Sequence, residues 1–194
     1  MASPPVPPNS KTLAICAVAE LGEEAMALAR PELHPRDYVA ILLGAALFPD
    51  AVRFVAHALP KREAVWWAWV CARRSSGDAP PPVIKAALEA TERWIAQPTD
   101  ELRRAAMDAA QKATLGTAAG CAGLAAFFSG GSLGPPNVAP IPPGDFLTAK
   151  AVTGAILSAA VSKEPEKAPE KFRAFVAQGL EVAQRIKLWE PKPA

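Results

Sequence analysis

Apolar residues recur at intervals of three and four positions over most of this chain, with polar residues between them. This period places apolar side chains on one face of an α-helix. Between residues 83 and 96, Ile84, Leu88 and Trp94 share one face, while Glu89 and Arg93 form a favourable i,i+4 pair on the other. No segment shows the alternation typical of a half-buried strand. The pattern predicts an all-α fold without a sheet.

Helix-start and helix-stop residues divide this pattern into elements. Pro35 suits a first helical turn, and Thr99 suits an N-cap that is followed by the acidic pair Asp100 and Glu101. Counting such segments predicts about nine helices, packed as an irregular multi-helix bundle or as stacked helical hairpins. We predict a flexible proline-rich arm over residues 1–10, a single helical domain over 11–187, and a polar tail over 188–194.

Residues 59–74 hold three of the five tryptophans: Trp66, Trp67 and Trp69. On a helix these side chains spread over roughly 160° of the circumference, which favours a central position in the bundle. We expect Trp66 and Trp69 to be core residues. Trp67 lies farthest round the helix, so we expect it to be partly exposed and available to a partner.

Two later helices are rich in small residues and flank a long loop. Gly116, Gly120 and Gly123 line one side of a helix predicted over 114–128, and Gly154 belongs to a similar face predicted over 146–162. Small residues allow close approach of two backbones, so these helices are expected to be neighbours. The loop over residues 129–145 is rich in glycine and proline, and we predict a fixed segment laid across the surface.

Composition and charge narrow the function classes. The chain is 51% hydrophobic, which is typical of a globular domain. Its formal charge of +2 is too small to imply a nucleic-acid partner. Three distant cysteines argue against a disulfide framework and favour a reducing compartment. The weakly polar run over 113–128 is too short to span a membrane. Residues 17–19 resemble a signal-peptidase site, but the proline-rich leader favours an uncleaved cytoplasmic protein.

The candidate chemistry is sparse. His34 and His57 stand apart from other residues at metal-ligand spacing, and neither Cys71 nor Cys121 has a catalytic partner motif. The glycine-rich residues 130–134 lack the Lys-Ser/Thr pair of a phosphate loop. We therefore predict no catalytic, cofactor-binding or metal-binding residue. Clustered basic residues are interleaved with acidic ones and are expected to form a solvated, mixed-charge face: Lys61, Arg62, Arg73, Arg74, Arg103 and Arg104.

Three sequence blocks, with a weaker fourth at residues 48–60, resemble an uncharacterised, all-helical bacterial family whose genes often lie near type VI secretion genes. They are FPDAVRFVAHALP (48–60), ALPKREAVWWAWVCAR (58–73), AAFFSGGSLGPPNVAPIPP (125–143) and LTAKAVTGAILSAAV (147–161). The resemblance implies a cytoplasmic accessory protein. It implies no activity and no catalytic residue.

The leading hypothesis is a non-enzymatic interaction module, an adaptor, chaperone or immunity-like partner of a secretion or toxin system, whose partner is another protein. The alternatives are a small-ligand-binding or enzymatic helical domain, with a pocket between the glycine-rich helices near Cys121 or His57, and a structural subunit of a larger assembly. The predicted partner-binding residues are Trp67, Phe128, Gly130, Gly131, Pro135, Pro136 and Asn137.

Overall fold

The computed structural model of the chain describes residues 11–135 and 137–190. Its α-helices are α1 (Lys11–Cys16), α2 (Glu23–Leu28), α3 (Pro35–Gly44), α4 (Phe48–Ala58), α5 (Lys61–Ser76), α6 (Pro82–Ala96), α7 (Asp100–Lys112), α8 (Ala118–Phe127), α9 (Leu147–Val161) and α10 (Ala168–Arg185). A short 3₁₀ turn, Pro165–Lys167, precedes α10. The described ranges contain no strand, so the all-α prediction is confirmed. The predicted arm over 1–10, Pro136 and the last four residues of the predicted tail lie outside them.

The centre of the bundle is formed by α5, α8 and α9. The α8 helix packs against α9 and also against α5, α6 and α7, while α4 and α10 cover the remaining side of α9. The predicted contact between the two small-residue helices is thereby confirmed. One hydrophobic cluster takes buried residues from all ten helices. None of the described helices combines the length and hydropathy needed to cross a membrane.

Glycine at these helix contacts serves close packing. A Cβ added to Gly123 would lie 2.9 Å from the Ala106 carbonyl oxygen and from the Ala110 Cβ, so Gly123 faces α7. A Cβ added to Gly154 would lie 3.4 Å from the Cys121 Sγ on α8. At this level α8 and α9 are in direct contact, so a ligand pocket formed by these helices would have to lie near their ends.

Helix starts follow local capping chemistry. The predicted N-cap Thr99 is confirmed, since its Oγ1 accepts a hydrogen bond of 3.3 Å from the Leu102 N–H. The helix predicted over 114–128 begins only at Ala118. Thr114 has a left-handed φ of 70°, and Thr117 caps α8 by accepting from the Gly120 N–H at 3.0 Å. Gly116 therefore lies in the turn before the helix.

The prediction that Trp67 is the exposed tryptophan of α5 is wrong. Trp67 is 0% exposed, whereas Trp66 and Trp69 are half-buried. The Trp67 indole N–H donates to the Phe175 carbonyl oxygen at 2.7 Å, which ties α5 to α10. Trp67 lies on the buried face of α5, among small residues that allow close helix packing. These residues are Ala64, Ala68, Cys71 and Ala72.

Candidate functional site

The glycine/proline loop is held at its base by two arginines of α7. Arg103 Nη1 donates to the Phe127 carbonyl oxygen at 2.6 Å, and its Nη2 donates to the Ser132 carbonyl oxygen at 2.9 Å. Arg104 Nη2 donates to the Gly134 carbonyl oxygen at 3.0 Å and to that of Ser132 at 3.2 Å. The two guanidinium groups thus join α7 to the end of α8 and to the first part of the loop.

Asp100, in the first turn of α7, orients both arginines. Its Oδ1 accepts from Arg103 Nε at 2.8 Å and from Arg103 Nη2 at 2.6 Å, and its Oδ2 accepts from Arg104 Nε at 2.8 Å. The hydrogen bonds from Arg104 and then from Arg103 hold the pKa of the Asp100 carboxyl below its ordinary value. The carboxylate is therefore charged at neutral pH. We call Asp100, Arg103 and Arg104 the arginine clamp.

Arg103 is the buried member of the clamp. It is 3% exposed, and its guanidinium carbon lies 4.6 Å from the centroid of the Phe127 ring. The prediction that it lies on a solvated face is therefore wrong. A buried guanidinium is stable only where its N–H groups find acceptors, and the loop carbonyl groups provide them. Arg104 is also drawn into the clamp, although its side chain stays 26% exposed.

Gly131 is required by the clamp. Its φ is 65°, in the left-handed region that favours glycine. A Cβ at this position would lie 2.7 Å from Asp100 Oδ1 and 2.8 Å from Arg103 Nη2. The glycine therefore lets the backbone lie directly on the clamp. Its neighbour Gly130 has no such constraint, because a Cβ there would meet no atom within 4 Å.

Beyond the clamp, the loop folds back on itself. The Ser132 hydroxyl oxygen accepts from the Gly134 N–H at 3.1 Å and from the Ile141 N–H at 3.0 Å. The Leu133 N–H donates to the Ile141 carbonyl oxygen at 2.8 Å. Both backbone polar groups of Ile141 are thus bonded to the clamped part of the loop.

The far part of the loop is exposed and apolar. We call residues 137–142 the loop tip. Val138 is 50% exposed and Ile141 54% exposed, and Asn137 is exposed beside them. The tip therefore presents two branched apolar side chains on a segment whose base is hydrogen-bonded to α7.

The residues predicted to bind a partner divide between the loop and the core. Gly130 and Gly131 line a cleft of about 340 Å³ beside Trp94 and the clamp. Pro135 is exposed next to the loop tip, and Phe128 is half-buried beside the buried Phe127. Trp67 is enclosed in the core and is separated from this surface. A partner-binding role for the loop residues stays a prediction.

A family model described as a family of unknown function, DUF6931, matches residues 38–183, well over half of the chain. The chain belongs to this family. The matched range contains the arginine clamp and the loop tip. In comparisons with curated proteins and with solved structures, none matches the chain.

The cysteines within the DUF6931 range are not activated. Burial raises the pKa of the Cys71 and Cys121 thiols, and it does the same for Cys16. Because the thiolate is the nucleophile, these thiols are poorly reactive near neutral pH. In the part of the chain that the structure describes, no three His, Cys, Asp or Glu side chains form a group that could hold a metal ion.

His57, also within residues 38–183, is a half-buried histidine with one buried ring nitrogen. Its Nδ1 lies 2.8 Å from the Arg53 carbonyl oxygen, and its ring centroid is 5.7 Å from that of Phe146. Its Nε2 is buried without a hydrogen-bond partner. Burial lowers the pKa of His57, because a charged imidazolium would lose its hydration there.

We expect His57 to make the stability of the protein depend on pH. The unfolded state binds the His57 proton more tightly than the folded state. The contribution of the neutral ring is therefore fully present above the unfolded pKa of about 6.5 and is lost as the pH falls through the lower folded pKa. The variant His57→Phe should flatten the dependence of unfolding free energy on pH below neutrality, measured by urea unfolding at several pH values. The unchanged protein is the reference, because the other histidine, His34, caps α3 by accepting a hydrogen bond of 3.2 Å from the Arg36 N–H and is therefore not a neutral control. An unchanged slope in His57→Phe would contradict this assignment.

Sequence reasoning missed the clamp because each of its residues had a simpler local explanation. Asp100 fitted the first turn of a helix, and Arg103 and Arg104 fitted a polar face. The available signal was the spacing, since an aspartate three and four positions before two arginines can bind both. Only the returning loop showed that Arg103 is covered.

Proposed function

We propose that this member of the DUF6931 family is a non-enzymatic protein-binding module that uses the loop tip as its binding element. It acts as an accessory adaptor, chaperone or immunity-like partner. A bacterial cytoplasmic location and an association with type VI secretion follow from the sequence resemblance and form part of this proposal.

The observation that carries the proposal is that Ile141 combines a hydrogen-bonded backbone with an exposed side chain. Its backbone N–H and carbonyl groups are bonded to Ser132 and Leu133, while its side chain is 54% exposed. An exposed apolar side chain on a hydrogen-bonded backbone loses little conformational entropy when it binds. The loop is thus preorganised for contact.

The loop tip and the proline that follows it also carry the chemistry of a proline-rich ligand. Residues 140–143 read Pro-Ile-Pro-Pro, a P-x-x-P spacing. Segments of this kind dock into aromatic-lined grooves with a small entropic cost. The partner that we propose is therefore a protein with an apolar, aromatic-lined groove.

The test is affinity capture from the native cell with the full chain as bait. The variant Ile141→Asp places a charge at the proposed contact and should reduce capture of the partner about thirtyfold, the effect of a hot spot worth about 2 kcal/mol. Ile186→Asp is the matched control, since Ile186 is another exposed isoleucine, 37% exposed, at the end of α10. Capture should be quantified by mass spectrometry, with thermal unfolding to show that both variants are folded.

Two outcomes would count against the proposal. Equal capture of the same proteins by Ile141→Asp and by the unchanged chain would remove the loop tip from the interaction. A stable oligomer in light scattering that Ile141→Asp disrupts would favour the alternative of a structural subunit.

A further inference from the structure

A second surface lies at the end of α5 remote from the cleft that Gly130 and Gly131 line, which we call the loop cleft. Two clefts of about 420 and 430 Å³ adjoin there, because Ser75 and Lys163 line both. The loop cleft is lined by Lys61 and Arg62, at the start of the same helix. The helix between Arg62 and Ser75 is about 20 Å long. A ligand at one surface therefore leaves the other accessible. We call the two adjoining clefts the α5-end groove.

The first half of this groove is positively charged. Four cationic and two anionic side chains line it: Arg74, Lys163, Lys167 and Lys171, with Glu164 and Glu170. Lys167 pairs with Glu164. Lys163 Nζ donates to the Ser76 carbonyl oxygen at 3.0 Å. Lys171 Nζ donates to the carbonyl oxygens of Lys163 and of Glu164, the latter at 3.2 Å. Bonds to carbonyl groups fix these ammonium groups in place without neutralising their charge.

The second half is apolar with small hydroxyl groups. Ala118 and Ala119 of α8 and Ile84 of α6 line it. Val161, at the end of α9, also lines it and is 51% exposed, and Val83, next to Ile84, is 47% exposed. Exposed branched side chains beside an apolar cleft favour contact with apolar side chains of a ligand.

From this combination we infer that the α5-end groove binds an acidic peptide segment of a partner protein, one that carries apolar side chains next to its carboxylates. The carboxylates pair with Arg74 and Lys171, and the apolar side chains enter the cleft beside Val161. Charge complementarity selects this occupant. A single-stranded nucleic acid is disfavoured, because the described lining of the apolar half contains no aromatic side chain on which a base could stack. The inference does not depend on the loop tip.

The test uses a phage-displayed library of random dodecapeptides selected against the full-length protein. Enriched peptides should be acidic and should contain aliphatic residues. Their binding, measured by fluorescence anisotropy, should weaken about threefold in Arg74→Glu and about tenfold in the double variant Arg74→Glu, Lys171→Glu, as expected for surface charge pairs. Raising the salt concentration should reduce the difference between these variants and the unchanged protein.

Two controls make the result specific. Arg73→Glu changes the net charge equally at the same helix end, but Arg73 lies over the Trp69 ring and lines neither half of the groove. Arg73→Glu should bind the peptides like the unchanged protein. Ile141→Asp should do so too, so this test gives the same result whether or not the loop tip binds a partner. Thermal unfolding checks that each variant is folded. If the double variant is unfolded, Arg74→Glu alone is sufficient for the test. Enriched peptides without acidic residues, equal binding by Arg74→Glu, or preferential binding of single-stranded RNA over the peptides would overturn the inference.

Discussion

Replacing Trp67 with alanine is expected to lower the free energy of unfolding by about 3–5 kcal/mol, the range for large buried side chains. Trp67 is 0% exposed and fills the contact between α5 and α10. The substitution leaves a cavity and removes the indole N–H from the Phe175 carbonyl oxygen. Urea unfolding followed by circular dichroism measures the loss without relying on tryptophan fluorescence.

Two variants test whether the packing around Trp67 is as tight as the structure shows. Trp69→Ala removes a half-buried tryptophan whose N–H donates to the Leu88 carbonyl oxygen at 3.0 Å, so its effect should be smaller. Gly179→Ala should cost about 1–3 kcal/mol, because its Cβ would lie 2.8 Å from Trp67 Cε2. That penalty should shrink when Trp67 is already alanine, since the two positions share one space. A Trp67→Ala effect smaller than that of Trp69→Ala would refute the central position of Trp67.

Replacing Arg103 with methionine is expected to destabilise the protein by about 3 kcal/mol, the value of one or two hydrogen bonds to a charged group. Methionine keeps the apolar length over Phe127 but leaves the carbonyl groups of Phe127 and Ser132 without the guanidinium. The loop should then open locally before the bundle unfolds. Hydrogen exchange should therefore become faster at the Leu133 and Ile141 amides, while the amides of α9 are unchanged.

The matched control for Arg103→Met is Arg104→Met. Arg104 also bonds to Asp100, Ser132 and Gly134, but its side chain is 26% exposed, so water can replace part of what is lost. Its effect should be about 1 kcal/mol or less, as for exposed ion pairs. Loop exchange rates that stay the same in Arg103→Met would show that the clamp does not order the loop. If the loop tip binds a partner, Arg103→Met should also weaken that binding, because preorganisation is lost while Ile141 is retained.

Local patterns predicted the helices well for identifiable reasons. The start of α7 follows from Thr99 and the acidic residues after it, and the extent of α6 follows from its regular apolar stripe. These signals act within one or two helical turns, so the sequence carries them directly. The predicted start of α8 was too early, because the turn from Thr114 to Thr117 depends on a left-handed residue that periodicity does not reveal.

The candidate site could be predicted only in outline. The glycine/proline loop was identified from its composition, and Gly131 is the position where glycine is structurally required. Trp67 and Arg103 were predicted to lie on exposed faces of their helices, but both side chains are buried. Amphipathic reasoning assigns faces from the residues of one helix, whereas burial depends on what packs against it.

By itself, the sequence determined the all-α class, most helix boundaries, and the loop that separates α8 from α9. The tertiary structure decided which side of α5 faces the core and whether the α7 arginines meet solvent. Trp67 is buried because Phe175 and Gly179, more than a hundred positions away, form its space. Arg103 is buried because the loop returns its carbonyl groups to α7. Such contacts join residues far apart in the chain, and a helical period contains no information about a partner that arrives from elsewhere in the fold.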